Sequence, residues 1–196
     1  GKPRLAVIAF SDQTGDAALA KVQMDKIVTD AVIQRFYEFP HTRLVSPLRL
    51  SKIQKDLDIN TKDLAEDPEF RETLARQTDS RLMITGAVRK LGKTFRLSAD
   101  FEDLETGRLI GKASLEAFSA EEILNTLVDT LCNRFQAKMV AEFGILKRAV
   151  QSDLNVGELT TLSLDAHSHF IKGQELYKRG RLREGANELV KATQLD

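Results

Sequence analysis

Leu5-Ala6-Val7-Ile8-Ala9-Phe10 is an unbroken apolar run, the pattern of a strand covered on both faces. The polar stretch Ser11-Asp12-Gln13-Thr14-Gly15-Asp16 follows and is expected to be a loop, with Asp16 as a helix N-cap. Met24, Ile27, Val28, Ala31 and Phe36 then recur at helical spacing, which predicts one helix from Asp16 up to Pro40. Arg43-Leu44-Val45 predicts a short second strand. Ser46-Pro47 and Asp67-Pro68 each join a capping residue to proline at the first helical position. The helices they open carry Leu50, Ile53 and Leu57 in one case and Phe70 and Leu74 in the other.

From Leu82 the period changes. Leu82 to Leu91 predicts a strand, and Gly92-Lys93 a tight turn. Phe95, Leu97, Ala99 and Phe101 alternate with Arg96, Ser98, Asp100 and Glu102, which makes a strand with one buried and one wet face. Glu105-Thr106-Gly107 predicts a second turn, and Leu109, Ala113, Leu115 and Ala117 a last strand. Ser119-Ala120-Glu121-Glu122 fits a capping box. It opens an amphipathic helix with Leu124, Val128, Leu131, Phe135, Met139, Phe143 and Leu146 on one stripe, expected to run ~30 residues or about 45 Å. The order is βαβαα, then three antiparallel strands, then a long helix. It predicts an α/β fold with a mixed sheet.

The C-terminal stretch reads as a helical hairpin, with helices over 164–178 and 182–195. Gly173 falls where the helices approach, Gly180 in the turn, and Leu176, Gly185, Leu189 and Ala192 at packing positions. These positions resemble the tetratricopeptide pattern of ~34 residues. His169 and Lys172 depart from it, and an ordinary helical hairpin is the other reading. Repeats of this kind bury their apolar faces by stacking, usually in sets of ~3 or more. The expectation is therefore a piece of a longer chain, with domains at 1–150 and 166–196 joined by a linker at 151–165. The repeat is expected to hold protein partners, and its lone packing face predicts a homo-oligomer.

Composition narrows the function classes. The chain has 196 residues, 42% of them hydrophobic, with 29 basic and 29 acidic residues and zero net charge. A dedicated nucleic-acid binder would carry a basic excess, so nucleic acid is not an expected partner. No apolar stretch approaches ~18 residues, so no membrane insertion of this segment is expected. The single Cys132 excludes an internal disulfide and leaves the compartment open.

Little in the sequence points to chemistry. Gly15 stands alone, without the Gly-Lys-Ser/Thr of a phosphate loop. The loop residues Ser11, Asp12, Thr14, Gly15 and Asp16 still lie between a buried strand and a helix start, where small polar ligands bind. A capped turn is the competing reading, and Asp12 and Asp16 disfavour an anion there. Asp100, Glu102 and the neighbouring Asp103 share a region with Arg96, which reads as a solvated charge ladder, not an acid–base pair. His167 and His169 diverge by roughly 200° on a helix, poor geometry for a metal, and His41 is distant in sequence. Cys132 reads as a small buried thiol. Lys178-Arg179-Gly180-Arg181-Leu182-Arg183 reads as an exposed basic turn balanced by Glu175, Glu184 and Glu188. No catalytic residue, metal or cofactor is expected.

One ordered set of segments resembles a known family. Leu5 to Phe10 followed by Thr14-Gly15-Asp16, then Arg43-Leu44-Val45-Ser46, Leu82 to Lys90 with Gly86, Phe95 to Ala99 and Glu105-Thr106-Gly107 resemble the TolB amino-terminal-like domain of bacterial signalling proteins. Leu159 to Ala166 is similar to that family's approach to its tetratricopeptide repeats. After Asp16 this chain has Ala17-Ala18-Leu19-Ala20 where many members carry aromatic residues. The resemblance implies a non-catalytic sensor or docking region downstream of a Ser/Thr protein kinase or a class III adenylate cyclase. It favours an extracytoplasmic position behind a membrane helix. The alternatives are an envelope or secretion-assembly component, and an enzyme with an unrecognised site.

Overall fold

β1 (Arg4–Val7) lies between two parallel neighbours, β3 (Arg43–Leu44) and β4 (Leu82–Leu91). The connection from β1 to β3 steps one way, and that from β3 to β4 crosses back over β1. Right-handed crossovers in opposite directions must lie on opposite faces of the sheet. The computed structural model describes residues 1–60 and 67–143, and beyond them 181, 183, 184, 186, 187 and 191. Two compact units divide the chain, Gly1–Phe143 and Gly144–Asp196.

On one face α2 (Met24–Tyr37) buries Val28, Val32 and Phe36. On the other, α3 (Pro47–Asp56) and α4 (Pro68–Thr78) bring Leu50 and Leu74 onto Ala6, Ile8, Val45 and Met83. Pro47 and Pro68 both occupy the first turn of their helices, and Asp67 accepts a hydrogen bond from the Glu69 N–H at 2.9 Å. β5 (Thr94–Asp103) and β6 (Arg108–Ala117) extend the sheet antiparallel from β4, giving the order β3-β1-β4-β5-β6.

A helix then returns over the α2 face. It begins as α5 (Ala120–Glu122), passes through a π-helical turn (Ile123–Leu127) and continues as α6 (Val128–Glu142). Phe135 of α6 stacks on Phe101 of β5, with ring centroids 5.3 Å apart. Gly111 on β6 makes this approach possible, because a Cβ there would stand 3.2 Å from the Phe135 ring. Ser119 Oγ accepts from the Glu122 N–H at 3.2 Å, while the Glu122 carboxylate accepts from the Phe118 N–H at 2.8 Å. The capping box is therefore present, with its return bond one residue earlier than the pattern implies.

Several expectations are corrected. The strand expected to reach Phe10 stops at Val7, and the expected loop starts instead as β2 (Ser11–Gln13), parallel to β4. Between Val7↔Ile84 and Ser11↔Ala87 this segment advances one residue more than β4, as at a bulge. The extra residue turns the Phe10 ring over Gly86, where a Cβ would meet it at 2.2 Å. The freed Phe10 N–H donates to Thr29 Oγ1 at 2.8 Å, which keeps a buried donor satisfied.

The helix expected from Asp16 to Pro40 is two helices, α1 (Ala17–Lys21) and α2, broken at Gln23 with φ 56 and ψ 55. α1 buries no residue, whereas α2 buries Met24 from its first position. The break re-aims the chain so that the apolar stripe meets the sheet. At the final helix the π turn rotates the start of the stripe, so that Ile123 is fully buried where Leu124 was expected. The expected continuation past Phe143, with Leu146, lies outside the described residues.

The domain boundary at 150, the linker at 151–165 and the repeat positions Gly173, Leu176, Gly180, Gly185, Leu189 and Ala192 also lie outside the described residues. Within the second unit Arg183, Glu184, Ala186, Asn187 and Lys191 are helical.

Candidate functional site

Helices cover one face of the sheet across β4, β5 and β6, but α3 and α4 cover only part of the other. The area that no described helix covers is the second half of β4, β2, and most of β5 and β6. Register places three rows of side chains on it. Ser11, Ala87, Ser98 and Ser114 are successive cross-strand partners and form a low floor. Beside them run Gln13, Arg89, Arg96 and Glu116, and on the other side Thr85, Asp100 and Lys112. Tall rows flanking a low one leave a trough of about 790 Å³.

The trough is electrostatically organised. Arg89 and Arg96 are direct antiparallel partners, an arrangement in which like charges repel. Each guanidinium is drawn to its own side of the row. Arg89 donates to Gln13 Oε1 at 2.8 Å, and Arg96 to Glu116 Oε1 at 2.6 Å. Arg96 Nε is buried and makes no hydrogen bond among the described residues. Lys112 and Asp100 approach at 3.9 Å. Three cations thus face two carboxylates, and the partner of Arg89 is a neutral amide. Ser11 Oγ accepts from Gln13 Nε2 at 2.9 Å. The arrangement can bind polar groups.

Of the five residues expected at a ligand loop, only Ser11 lines the trough. Asp12 Oδ1 accepts from the Thr14 N–H at 2.9 Å and from the Thr14 hydroxyl at 2.6 Å. Thr14 Oγ1 in turn accepts from the Asp16 N–H at 3.1 Å. Asp16 caps α1 through the Ala18 and Leu19 N–H groups and pairs with Lys90 at 2.7 Å. The Lys90 hydrogen bond, followed by that from Leu19, holds its carboxyl below the ordinary carboxylate range. Gly15 takes φ +66 within this turn.

The expected solvated ladder is wet only in part. Asp100 is on the open face, but Glu102 is covered by α4 and pairs with Arg71 at 2.7 Å. Asp103 is buried and accepts from Arg81, whose guanidinium also lies over the Phe143 ring. Cys132 is buried in α6, and burial pushes its thiol up to about 12. The His41 ring packs edge-on to Phe39 at 5.1 Å. His167 and His169 are outside the described residues. In the basic turn, Arg181 pairs with Glu184. Among the described residues no group of three His, Cys, Asp or Glu side chains could hold a metal ion, and no helix is long and apolar enough to cross a membrane.

Sequence reasoning missed Gln13, Arg89, Lys112 and Ser114. The alternation in β5 named a wet face, but the pairing that lines up four strands is not written in any one of them.

No protein-family model matches the sequence, and no curated protein matches it. Solved structures with a similar arrangement include the C-terminal domain of LpoB from Salmonella enterica, at 15% identity over 60% of this chain and 84% of that one, with a TM-score of 0.48. The lipoprotein GNA1162 from Neisseria meningitidis is 13% identical over 78% of this chain and 99% of its own, with a TM-score of 0.47. TolB from Acinetobacter baumannii is 10% identical over 72% of this chain and 29% of its own, with a TM-score of 0.48. Likeness at this level concerns the α/β arrangement and assigns no activity.

Proposed function

We propose that the first unit is a non-catalytic protein-interaction module whose contact surface is the open face of the β4–β5–β6 meander. The observation that carries this reading is the trough, a built hollow with a small-residue floor and charged walls. The partner it fits is a protein surface that presents carboxylate and hydroxyl groups. Arg89 donates its Nε to a neutral amide, and the terminal N–H donors of its guanidinium suit a carboxylate.

A photo-crosslinking residue at Ser98, in the full-length gene product in its own cell, tests it. A discrete adduct, identified and then rebound as purified protein, should be lost with R89E or R96E. Adducts indifferent to both changes, or turnover of a substrate by this chain, would overturn the reading.

The parent protein is a separate proposal. One of the similar structures is a lipoprotein, so an envelope-assembly parent is the first to test, before a Ser/Thr kinase or adenylate cyclase. The fold likeness decides nothing between them. Upstream sequence does: a lipobox cysteine in one case, a kinase or cyclase domain and a membrane helix in the other. Partner binding or self-association through the helical hairpin also stands as a proposal.

A further inference from the structure

Among the described residues the sheet ends on β6, and this edge differs from the opposite one. β3 has two residues, too few to template a partner, whereas β6 has ten and no proline. A bulge at Ile110 interrupts β6, and from Gly111 to Ala117 every second residue turns its N–H and C=O away from β5, towards a position that no described strand occupies. Edges are blunted by proline, bulges, charged side chains or a covering loop; the bulge at Ile110 blunts the start of β6 and leaves Gly111 to Ala117 as its regular stretch.

Beside the β6 edge lies a hollow of about 440 Å³, between the strand and α6. It exists because Gly111 has no side chain and α6 presents Ala137 and Ala141 there, which leaves the Phe135 ring as its apolar wall. Lys112, Arg134 and Lys138 rim it, and no carboxylate among the described residues lines it. Leu109, 49% exposed, lies at one end of the strand, and Phe118, 81% exposed, just past the other.

We infer that the β6 edge accepts, as an added strand, an extended segment of another protein that alternates acidic and apolar residues. This surface shares Lys112 with the trough and otherwise lies on the opposite face of the sheet. Backbone pairing along β6 supplies the register, as in β-augmentation generally. One apolar side chain enters the hollow against Phe135, and acidic neighbours meet Arg134, Lys138 and Lys112. A second copy of this chain fits worse. Two β6 edges paired about a two-fold axis near Gly111 would set the same cations against each other.

A short synthetic peptide alternating glutamate with valine is the probe, titrated into the full isotope-labelled chain and followed by amide chemical shifts. Shifts should concentrate on residues 108–117 and on Arg134 and Lys138. Binding should weaken about tenfold with R134E/K138E, at exposed positions that leave folding intact, and weaken as salt rises. A137W, which fills the hollow from an exposed helix position, should abolish it. So should N-methylation of alternate peptide amides, because it removes the ladder.

Several outcomes would overturn the inference. These are equal binding of a lysine–valine peptide, unchanged affinity in R134E/K138E, shifts confined to the trough, or a dimer joined through β6. Crosslinking at Ser98 reports separately on the trough.

Discussion

One sheet carries two kinds of strand. β1 has helices on both faces, and its Leu5, Ala6 and Val7 are all buried. β5 has helices on one face along most of its length, and its residues alternate half-buried and buried from Thr94 to Asp103. The difference is what surrounds each strand, since both belong to one hydrogen-bonded sheet. Where two layers of helix meet the sheet, every side chain must be apolar or paired. Where one layer is missing, every second position is released from packing. On this chain those released positions carry serines, arginines and carboxylates. Glu102 marks the boundary, the first open-face residue of β5 to fall under a helix, and it arrives with its own partner, Arg71.

The comparison breaks if the two faces of β5 respond alike to truncation. Phe101→Ala removes a fully buried ring stacked on Phe135 and should cost about 3–5 kcal/mol. Ser98→Ala, three residues earlier on the open face, should stay within about 0.5 kcal/mol. Urea midpoints measure both, and equal shifts would mean that the open face is packed. Leu74→Ala tests the doubly covered half. It should cost about 2–5 kcal/mol by the same assay, because Leu74 is fully buried under Ala6, Ile8 and Met83.

Gly86→Ala sharpens the role of the bulge before β2. A Cβ at 2.2 Å from the Phe10 ring forces that ring to move, at about 1–3 kcal/mol. A Tm equal to that of the parent chain would show the ring free to shift. On the open face, Glu116→Gln leaves Arg96 facing Arg89 without its carboxylate. The expected loss is small, about 0.2–1 kcal/mol, and should shrink further as salt is raised.

Two pH dependences have opposite sign and follow the same division. The Cys132 thiol is raised to about 12 by burial. Its neutral form therefore favours folding fully below the unfolded thiol value, and that contribution is lost as pH climbs from about 9 towards 12. At pH near 8 a thiol reagent should react at the rate of unfolding, and fast modification of the native chain would contradict the burial. Asp16 is lowered, chiefly by Lys90. Its contribution is present above the ordinary carboxylate value of 3.8 and disappears as pH falls through the depressed folded value. A carboxyl titration by NMR should place Asp16 below 3.8 and move it upward in Lys90→Met.

Much of the framework was legible because it is local. The Asp16 and Asp67 caps, the prolines at 47 and 68, the Ser119–Glu122 box and the turns at Gly92 and Gly107 each rest on neighbours in sequence. The alternation Phe95, Leu97, Ala99, Phe101 also announced a one-sided strand. β2 was illegible, since Ser11-Asp12-Gln13 has no apolar pattern and becomes a strand only because β4 lies beside it. The break at Gln23 was hidden for a similar reason. Nothing local forbids continuous helix there, and it is the sheet that pulls Met24, Val28 and Phe36 off the line of α1.

By itself, then, the sequence determined the kinds of element, their order, and which face of each is apolar, since these follow from the periods of helix and strand. Only the tertiary structure decided which faces meet water. The two crossovers place α3 and α4 over one part of the sheet and leave the rest of that face, and the β6 edge, without a layer among the described residues. Register then lines up Ser11, Ala87, Ser98 and Ser114 from four separate strands into one floor. Cross-strand alignment is a long-range property, set by which strands become neighbours, so no single stretch of the chain encodes the trough.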